Sequence, residues 1–238
     1  MTKLGILHAT RVSAALIVAG VMAFTAKPAH ALLEFDISDG VTTTAFAEGG
    51  ALDESLDPGR IEFNDSIGVF NIVLATGLSK PIVGDETEAV VDLLSLSLSS
   101  TAGGSLTIKM TDTDFTQAPY MGFMTTNIGG TSTGSVNIKT YIDSTNTAFG
   151  TETLLADLDV ADFSSTGIAA FAGHESGWIN TGTPYSLTMI VTVTHDNAGD
   201  LTSFDAELRV LPEPAALALF GIGLTGLGLV SRRRGARR

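Results

Sequence analysis

Hydrophobic and polar residues alternate with a period of two along several segments of the chain, and turns rich in serine, threonine and glycine separate these segments. Alternation of this kind is typical of antiparallel strands with one buried and one wet face. Convincing helical periodicity is missing between residues 32 and 211, where residues 153–163 are the only weak helical candidate. The apolar positions of the clearest segments are Phe70/Ile72/Leu74, Leu94/Leu96/Leu98, Leu106/Ile108/Met110, Val136/Ile138, Leu187/Met189/Val191/Val193 and Phe204/Ala206/Leu208/Val210.

This pattern predicts an all-β fold, an antiparallel two-sheet β-sandwich with jelly-roll or Greek-key-like connections. The triplet Ala102-Gly103-Gly104 predicts a short hairpin turn between the second and third apolar segments. Residues 32–58 are more acidic and contain further turn signals, so they predict an irregular entry or an edge strand.

The N-terminus has the layout of a secretory signal peptide. A basic start precedes an apolar core at residues 12–24, and Ala29 and Ala31 form an A-x-A cleavage site. We therefore expect a signal peptide at residues 1–31, handled by the export machinery and signal peptidase, and a mature chain that begins at Leu32.

The C-terminus predicts a membrane segment. Residues 215–230 are uncharged, and as a helix they would span about 24 Å, slightly short of a bilayer core. Five arginines follow: Arg232, Arg233, Arg234, Arg237 and Arg238. By the positive-inside rule these arginines are a cytoplasmic stop-transfer signal, which leaves the preceding domain outside.

Pro212-Glu213-Pro214, the short apolar stretch after it and the terminal arginines together resemble a PEP-CTERM sorting signal. The resemblance covers residues 210–238 and implies a partner, exosortase, that recognises the Pro-Glu-Pro motif and removes the tail. It also implies a source that makes exopolysaccharide, transient anchoring in the inner membrane, and a final place at the cell surface or in the extracellular matrix. The predicted organisation is a signal peptide at 1–31, an exported ectodomain at 32–211 and a sorting signal at 212–238.

A second resemblance lies within the ectodomain. Residues 77–81, 111–115 and 202–206 are similar to segments of other surface proteins with this tail. This resemblance implies a shared β-sandwich ectodomain and says nothing about an activity.

The predicted ectodomain is strongly acidic. Residues 32–211 contain 25 of the 26 acidic residues and five of the 13 basic ones, a formal charge of −20. Such a charge repels phosphate backbones, so no nucleic-acid partner is expected. Cysteine is absent, which excludes disulfides, thiolate metal sites and cysteine nucleophiles.

Two patterns could indicate hydrolysis. Gly130-Thr131-Ser132-Thr133-Gly134 matches G-x-S-x-G, but a nucleophile elbow needs a strand-to-helix turn in an α/β sheet, so a loop is favoured. After signal removal His174 and His195 are the remaining histidines; a triad or a zinc site would need convergence in space, and surface or loop positions are expected. No catalytic residue is predicted.

Acidic clusters suggest a cation site. Asp112 and Asp114, and the group Asp157, Asp159 and Asp162, could supply oxygen ligands for calcium, although none matches an EF-hand loop. Turn formation is the alternative role of these residues. Calcium is the candidate cofactor at these clusters; otherwise no cofactor is expected.

Aromatic residues with polar neighbours suggest sugar binding. Trp178 and Tyr185 flank a polar turn, and Tyr120 lies near Phe115 and Phe123. Core packing explains these rings equally well.

Taken together, these patterns favour a non-enzymatic structural or adhesive component of the extracellular matrix, associated with exopolysaccharide. The alternatives are a carbohydrate-, calcium- or ice-binding module and, less favoured, a surface hydrolase.

Overall fold

The computed structural model describes residues 32–116, 122–162 and 167–211, which all belong to one compact unit. Each element in these ranges is a β-strand, and each strand pair is antiparallel. The strands are β1 (Glu34–Ser38), β2 (Thr43–Ala47), β3 (Arg60–Ile67), β4 (Phe70–Leu78), β5 (Ala89–Ser100), β6 (Gly104–Phe115), β7 (Gly122–Ser132), β8 (Ser135–Asp143), β9 (Thr153–Asp162), β10 (Ala169–Ile179), β11 (Tyr185–His195) and β12 (Leu201–Leu211). The all-β, antiparallel prediction is confirmed.

The strands form two six-stranded sheets that pack face to face. Sheet A has the order β2-β1-β6-β11-β8-β9, and sheet B has the order β10-β7-β12-β5-β4-β3. The predicted two-sheet sandwich is thus confirmed. The region 32–58 contributes β1 and β2 at one edge of sheet A, in agreement with the edge-strand alternative.

The strands from β5 to β12 alternate between the two sheets. The exception is the step from β8 to β9, which are neighbours in the chain and pair within sheet A. The resulting strand orders are β5-β12-β7-β10 in sheet B and β6-β11-β8-β9 in sheet A. This is the connectivity of an eight-stranded jelly roll, in which two Greek keys wrap around one core. The predicted hairpin at residues 102–104 is therefore wrong, because the turn carries the chain from β5 in one sheet to β6 in the other.

The core forms from the inward-facing positions of both sheets. The predicted apolar positions of β6, β8, β11 and β12 are all buried, among them Ile108, Ile138, Val191 and Leu208. Each such aliphatic side chain contributes roughly 1.5–3 kcal/mol by leaving water. Since no disulfide is present, this packing is the main source of stability.

A bulge in β5 breaks the alternation that the sequence suggested. Against β12, the pairing moves from Thr202 opposite Leu98 to Phe204 opposite residue 95, so β5 contains one extra residue. Leu98 and Leu93 consequently face the core, whereas Leu94 is only partly buried and faces outward. The expectation that Leu94 shares a buried face with Leu98 is wrong.

The weak helical candidate at residues 153–163 is also wrong, because residues 153–162 form β9. Its pairing with β8 shifts register twice, opposite Val136/Asn137 and opposite Thr140/Tyr141. Because of the second shift, the consecutive residues Leu155 and Ala156 are both buried. Two bulges a few residues apart therefore hide the period of two.

The predicted signal peptide, Pro-Glu-Pro motif, membrane segment and terminal arginines lie outside the described residues. Within the described ranges, no helix has the length and apolar character needed to cross a membrane.

Candidate ligand-binding face

An open depression of about 800 Å³ lies on the outer face of sheet B. Four strands form it, because β10, β7, β12 and β5 are neighbours in this sheet. It is lined by Asp92, Asn127, Ile128, Gly129, Ala172, Gly173, His174, Asp205 and Glu207. These residues come from distant parts of the chain, and the jelly-roll connectivity brings them together.

The polar part of the lining is a row that crosses the sheet. Asp92 lies opposite Glu207, Glu207 lies opposite Asn127, and Asn127 lies opposite His174. Residues in direct register on one face have Cβ atoms about 5 Å apart, so these four side chains are neighbours along the row. The row offers carboxylate, amide and imidazole groups to a ligand.

The floor of the depression is low because the adjacent row has small residues. Gly129 pairs with Ala172 on one side and with Asp205 on the other. A Cβ atom added at Gly129 would meet only the carbonyl oxygen of Phe171, at 3.7 Å, an ordinary contact. The backbone does not require glycine here, so a larger residue would fill the depression without disturbing the sheet.

His174 is oriented by its neighbour in the row. Its Nδ1 lies 2.7 Å from Asn127 Oδ1. An amide oxygen can only accept a hydrogen bond, so Nδ1 carries the proton and donates. In the neutral ring, Nε2 is therefore an acceptor.

The carboxylates of the depression repel one another. Burial is the main cause that raises the pKa of Asp92 to about 7. The charge of Asp205, a hydrogen bond to Asp205 and the charge of Glu207 add to this rise, and the charge of Arg209 opposes it. Asp92 Oδ1 is buried and has no hydrogen-bond partner within the described residues. Glu207 is held by Arg209 Nη2 at 3.0 Å. The depression is thus an acidic site with an acceptor that lacks a donor.

An exposed indole extends this face along β10. Trp178 is 62% exposed, and the edge of its ring system meets Phe123, with centroids 5.2 Å apart and planes at 70°. Trp178 follows His174 by four residues on the same strand, a distance of about 13 Å. Phe123 supports the indole from β7 while leaving much of it open to solvent.

The other aromatic residues considered for sugar binding have different places. Phe115 and Tyr185 stack on each other with centroids 5.6 Å apart, and both are buried in the core. Tyr120 lies outside the described residues. Among the described aromatic residues that the sequence suggests for sugar binding, only Trp178 and its neighbour Phe123 lie where a ligand can contact them.

Asp112 and Asp114 lie near the end of β6, away from the depression. Asp112 is buried and accepts hydrogen bonds from Ser79 Oγ and from Lys80 Nζ, the latter at 3.0 Å. Asp114 has a positive φ of 61° and accepts from Asn146 Nδ2 at 2.6 Å. The pair therefore has protein partners.

Asp157 and Asp159 lie on β9 with Asn137 between them. Asn137 Nδ2 donates to both carboxylates, at 3.0 and 2.7 Å, and Lys139 Nζ lies 3.1 Å from Asp157. Strands β11 and β8 separate this pair from β6. The side chain of Asp162 lies outside the described set, and the described residues contain no cluster of three or more His, Asp or Glu able to hold a metal. Calcium binding stays a prediction.

The serine and histidine of the hydrolase alternative belong to a buried polar chain. Ser132 is fully buried at the end of β7, and its Oγ accepts from Gly134 N–H at 2.9 Å and lies 2.7 Å from Thr202 Oγ1. His195 is 1% exposed, so its expected surface or loop position is wrong. His174 is exposed on sheet B, whereas His195 belongs to β11 of sheet A. A buried hydroxyl cannot reach a substrate.

Two of the segments for which the sequence suggests a resemblance to other surface proteins meet in the fold. Lys80 of the first lies against Asp112 and 3.6 Å from the ring centroid of Phe115, both in the second. The Lys80 and Asp112 side chains are 9% and 1% exposed. Burial lowers the pKa of Lys80, and the charge of Asp112 opposes this change. The contact joins the end of β4 to β6 across the sandwich.

The alternation of the sequence contains a signal for one part of the depression. Asp205, Glu207 and Arg209 occupy every second position of β12, between the apolar positions that face the core. This places three charges on one outer face. Their neighbours Asp92 and Asn127 could not be identified from the sequence, because the strand order is not local.

No family model and no curated protein sequence matches the chain. Among solved structures, it is similar to the cleaved adhesin domain of Lys-gingipain from Porphyromonas gingivalis, with a TM-score of 0.35, 14% identity, and coverage of 69% of this chain and 97% of that one. It is also similar to a carbohydrate-binding module with specific mannan recognition (TM-score 0.27, 12% identity, 68% and 85% coverage). A third likeness is to a xylan-binding domain from Paenibacillus barcinonensis (TM-score 0.23, 9% identity, 68% and 92% coverage). These scores are too low to inform the function of this chain.

Proposed function

We propose that this protein is an exported, non-enzymatic adhesive module that binds carbohydrate in the extracellular polysaccharide layer. The observation that carries the proposal is the pairing of an exposed Trp178 with a polar depression on the same sheet face. Sugars present apolar C–H faces and hydroxyl edges, so an aromatic ring beside carboxylate and amide groups matches both.

The geometry favours binding over hydrolysis. A glycosidase needs two carboxyl groups about 5 Å or roughly 6.5–9.5 Å apart, on either side of the scissile bond. Asp92 and Asp205 share a hydrogen bond, which leaves no room for a sugar between them. Glu207 is engaged by Arg209.

The placement outside the cell rests on the two chain ends. The signal-peptide pattern and the resemblance of residues 210–238 to a PEP-CTERM signal support export, exosortase processing and release to the surface or matrix. A carbohydrate-binding module in that place would attach to the polysaccharide around the cell.

Trp178 offers a direct test, because it is the only tryptophan in the chain. A titration of the purified ectodomain with oligosaccharides should change the intrinsic fluorescence in a saturable way. Trp178→Ala should abolish binding measured by calorimetry. Ile168→Ala, a matched control that removes another exposed apolar side chain, should bind as the wild type does.

A second variant tests the depression separately. Gly129→Leu should fill the floor and weaken binding by at least about tenfold, with the melting temperature little changed. If Trp178→Ala and Gly129→Leu both bind polysaccharide like the wild type, this face is not the binding site. Release of reducing sugar would contradict the non-enzymatic proposal.

A further inference from the structure

The basic residues of the ectodomain are all occupied. Residues 32–211 contain five: Arg60, Lys80, Lys109, Lys139 and Arg209. Arg60 pairs with Asp57 and Glu62, Lys80 with Asp112, Lys109 with Asp36, Lys139 with Asp157, and Arg209 with Glu88 and Glu207. A uronate or sulfate group on a glycan would therefore find no unpaired cation among the described residues.

The depression has the opposite character. Asp92, Asp205 and Glu207 face it from two adjacent strands, and Asp92 Oδ1 is a buried acceptor without a donor. The nearest cation, Arg209, is shared with Glu88 at 3.3 Å and Glu207 at 3.0 Å. A ligand that brings donors and a positive charge would pair with the exposed Asp205 carboxylate and reduce the repulsion among the three acidic groups.

We propose that the depression binds the protonated amine of a 2-amino sugar, so that the ligand class is an amino-sugar polymer that is at least partly de-N-acetylated. An ammonium group supplies three donors, and charge-assisted hydrogen bonds to carboxylates are about twice as strong as neutral ones. The following sugar units would extend along β10 toward Trp178. This inference rests on the proposed carbohydrate-binding function and specifies its ligand.

The test compares three oligomers of equal length by calorimetry at pH 6 and about 0.15 M salt, where attraction beyond roughly 8 Å is screened. The probes are a glucosamine tetramer, an N-acetylglucosamine tetramer and a galacturonate tetramer. We expect the glucosamine tetramer to bind about 10- to 100-fold more tightly than the acetylated one, the effect of one charge-assisted hydrogen bond. The galacturonate tetramer should not bind.

Matched variants separate a site from general attraction. Asp205→Asn should reduce the preference for the glucosamine tetramer to about twofold or less, while affinity for the acetylated tetramer stays within about twofold. Glu175→Gln removes the same charge from an exposed position on β10 that does not line the depression, and should keep the preference.

The outcomes distinguish the two proposals. Equal binding of the acetylated and deacetylated tetramers, or an equal loss of preference in Glu175→Gln and Asp205→Asn, overturns the amino-sugar inference and leaves carbohydrate binding in place. Absence of binding by every oligosaccharide tested, neutral ones included, overturns the proposed function itself.

Discussion

His195 Nε2 lies 2.9 Å from Thr202 Oγ1, and both side chains are buried where β11, β5 and β7 end and β12 begins. The carbonyl of Asn197 can only accept, so the Ser100 hydroxyl donates to it, at 3.2 Å, and accepts from His195 Nδ1–H, at 2.9 Å. The neutral ring then accepts from Thr202, which in turn accepts from Ser132 at 2.7 Å. Burial lowers the pKa of His195, in agreement with a neutral ring. Each hydroxyl in this chain donates once and accepts from one neighbour.

Thr202→Val should therefore be strongly destabilising for a change of one hydroxyl. It leaves His195 Nε2 without a donor and Ser132 without an acceptor, at a cost of about 1–3 kcal/mol for each unsatisfied buried group. Urea unfolding would measure the loss. Thr131→Val, an exposed position on β7, should change stability by less than about 0.5 kcal/mol. Equal effects of the two changes would contradict the directed chain.

Asp92→Asn should stabilise the protein in a way that depends on pH. The pKa of Asp92 is about 7 in the folded protein, against a usual value of 3.8, so the folded chain holds a proton that the unfolded chain releases between about pH 4 and 7. This contribution to stability is present at low pH and is lost as the pH rises through that window. At pH 8 the variant should be more stable than the wild type by about 1–2 kcal/mol, after allowance for solvent screening.

The difference should nearly vanish at pH 4, where Asp92 is protonated in the folded protein. Unfolding curves at the two pH values measure it. Asp65→Asn, at an exposed position of β3, should show no such dependence. A difference of the same size at both pH values would contradict the role of Asp92.

Lys80→Met should strongly destabilise the folded protein. It leaves the buried Asp112 carboxylate without its cation, and breaking a buried pair in this way costs about 3–5 kcal/mol. Lys139→Met breaks the more exposed pair with Asp157 and should cost less than about 1 kcal/mol. Thermal unfolding of both variants would show the difference, and similar losses would contradict the buried character of the Lys80 pair.

Calcium binding at Asp157 and Asp159 can be tested by thermal unfolding. A site there would make the melting temperature rise with calcium and fall with EDTA, since a ligand that binds only the folded state stabilises it. Asp157→Asn combined with Asp159→Asn should remove the response. A melting temperature that neither calcium nor EDTA changes would exclude the site.

The two predicted cleavages can be read from one intact mass. Protein recovered from the medium or matrix should begin at Leu32 and lack the residues that follow the Pro212-Glu213-Pro214 motif. Glu213→Ala should leave the tail attached and the protein in the inner membrane. Recovery of wild-type protein from the matrix with residues 215–238 intact would contradict exosortase processing.

The fold class could be predicted because antiparallel strands with one buried face leave a local trace. Val191 and Val193 or Leu208 and Val210 show it directly. The trace fails at the bulges of β5 and β9, where one extra residue reverses the side on which the next side chain points.

The candidate site could be predicted only in part, because it depends on strand order. The polar neighbours of Trp178 suggest sugar binding from the sequence, with core packing as the alternative. Asp92 and Glu207 are 115 positions apart in the sequence and lie opposite each other only because β12 inserts beside β5. Asp112 and Asp159, which belong to the acidic motifs of the sequence, have protein partners, whereas Asp92 at the depression has an oxygen without one among the described residues.

The last strand of the jelly roll, β12, lies in the interior of sheet B between β5 and β7. A chain exported from its N-terminus delivers this strand last, after all its neighbours have emerged. Until then sheet B lacks its central member, and the two halves of the sheet cannot join. If the chain is exported as its N-terminal pattern predicts, sheet B can be completed only after residue 211 has crossed the membrane.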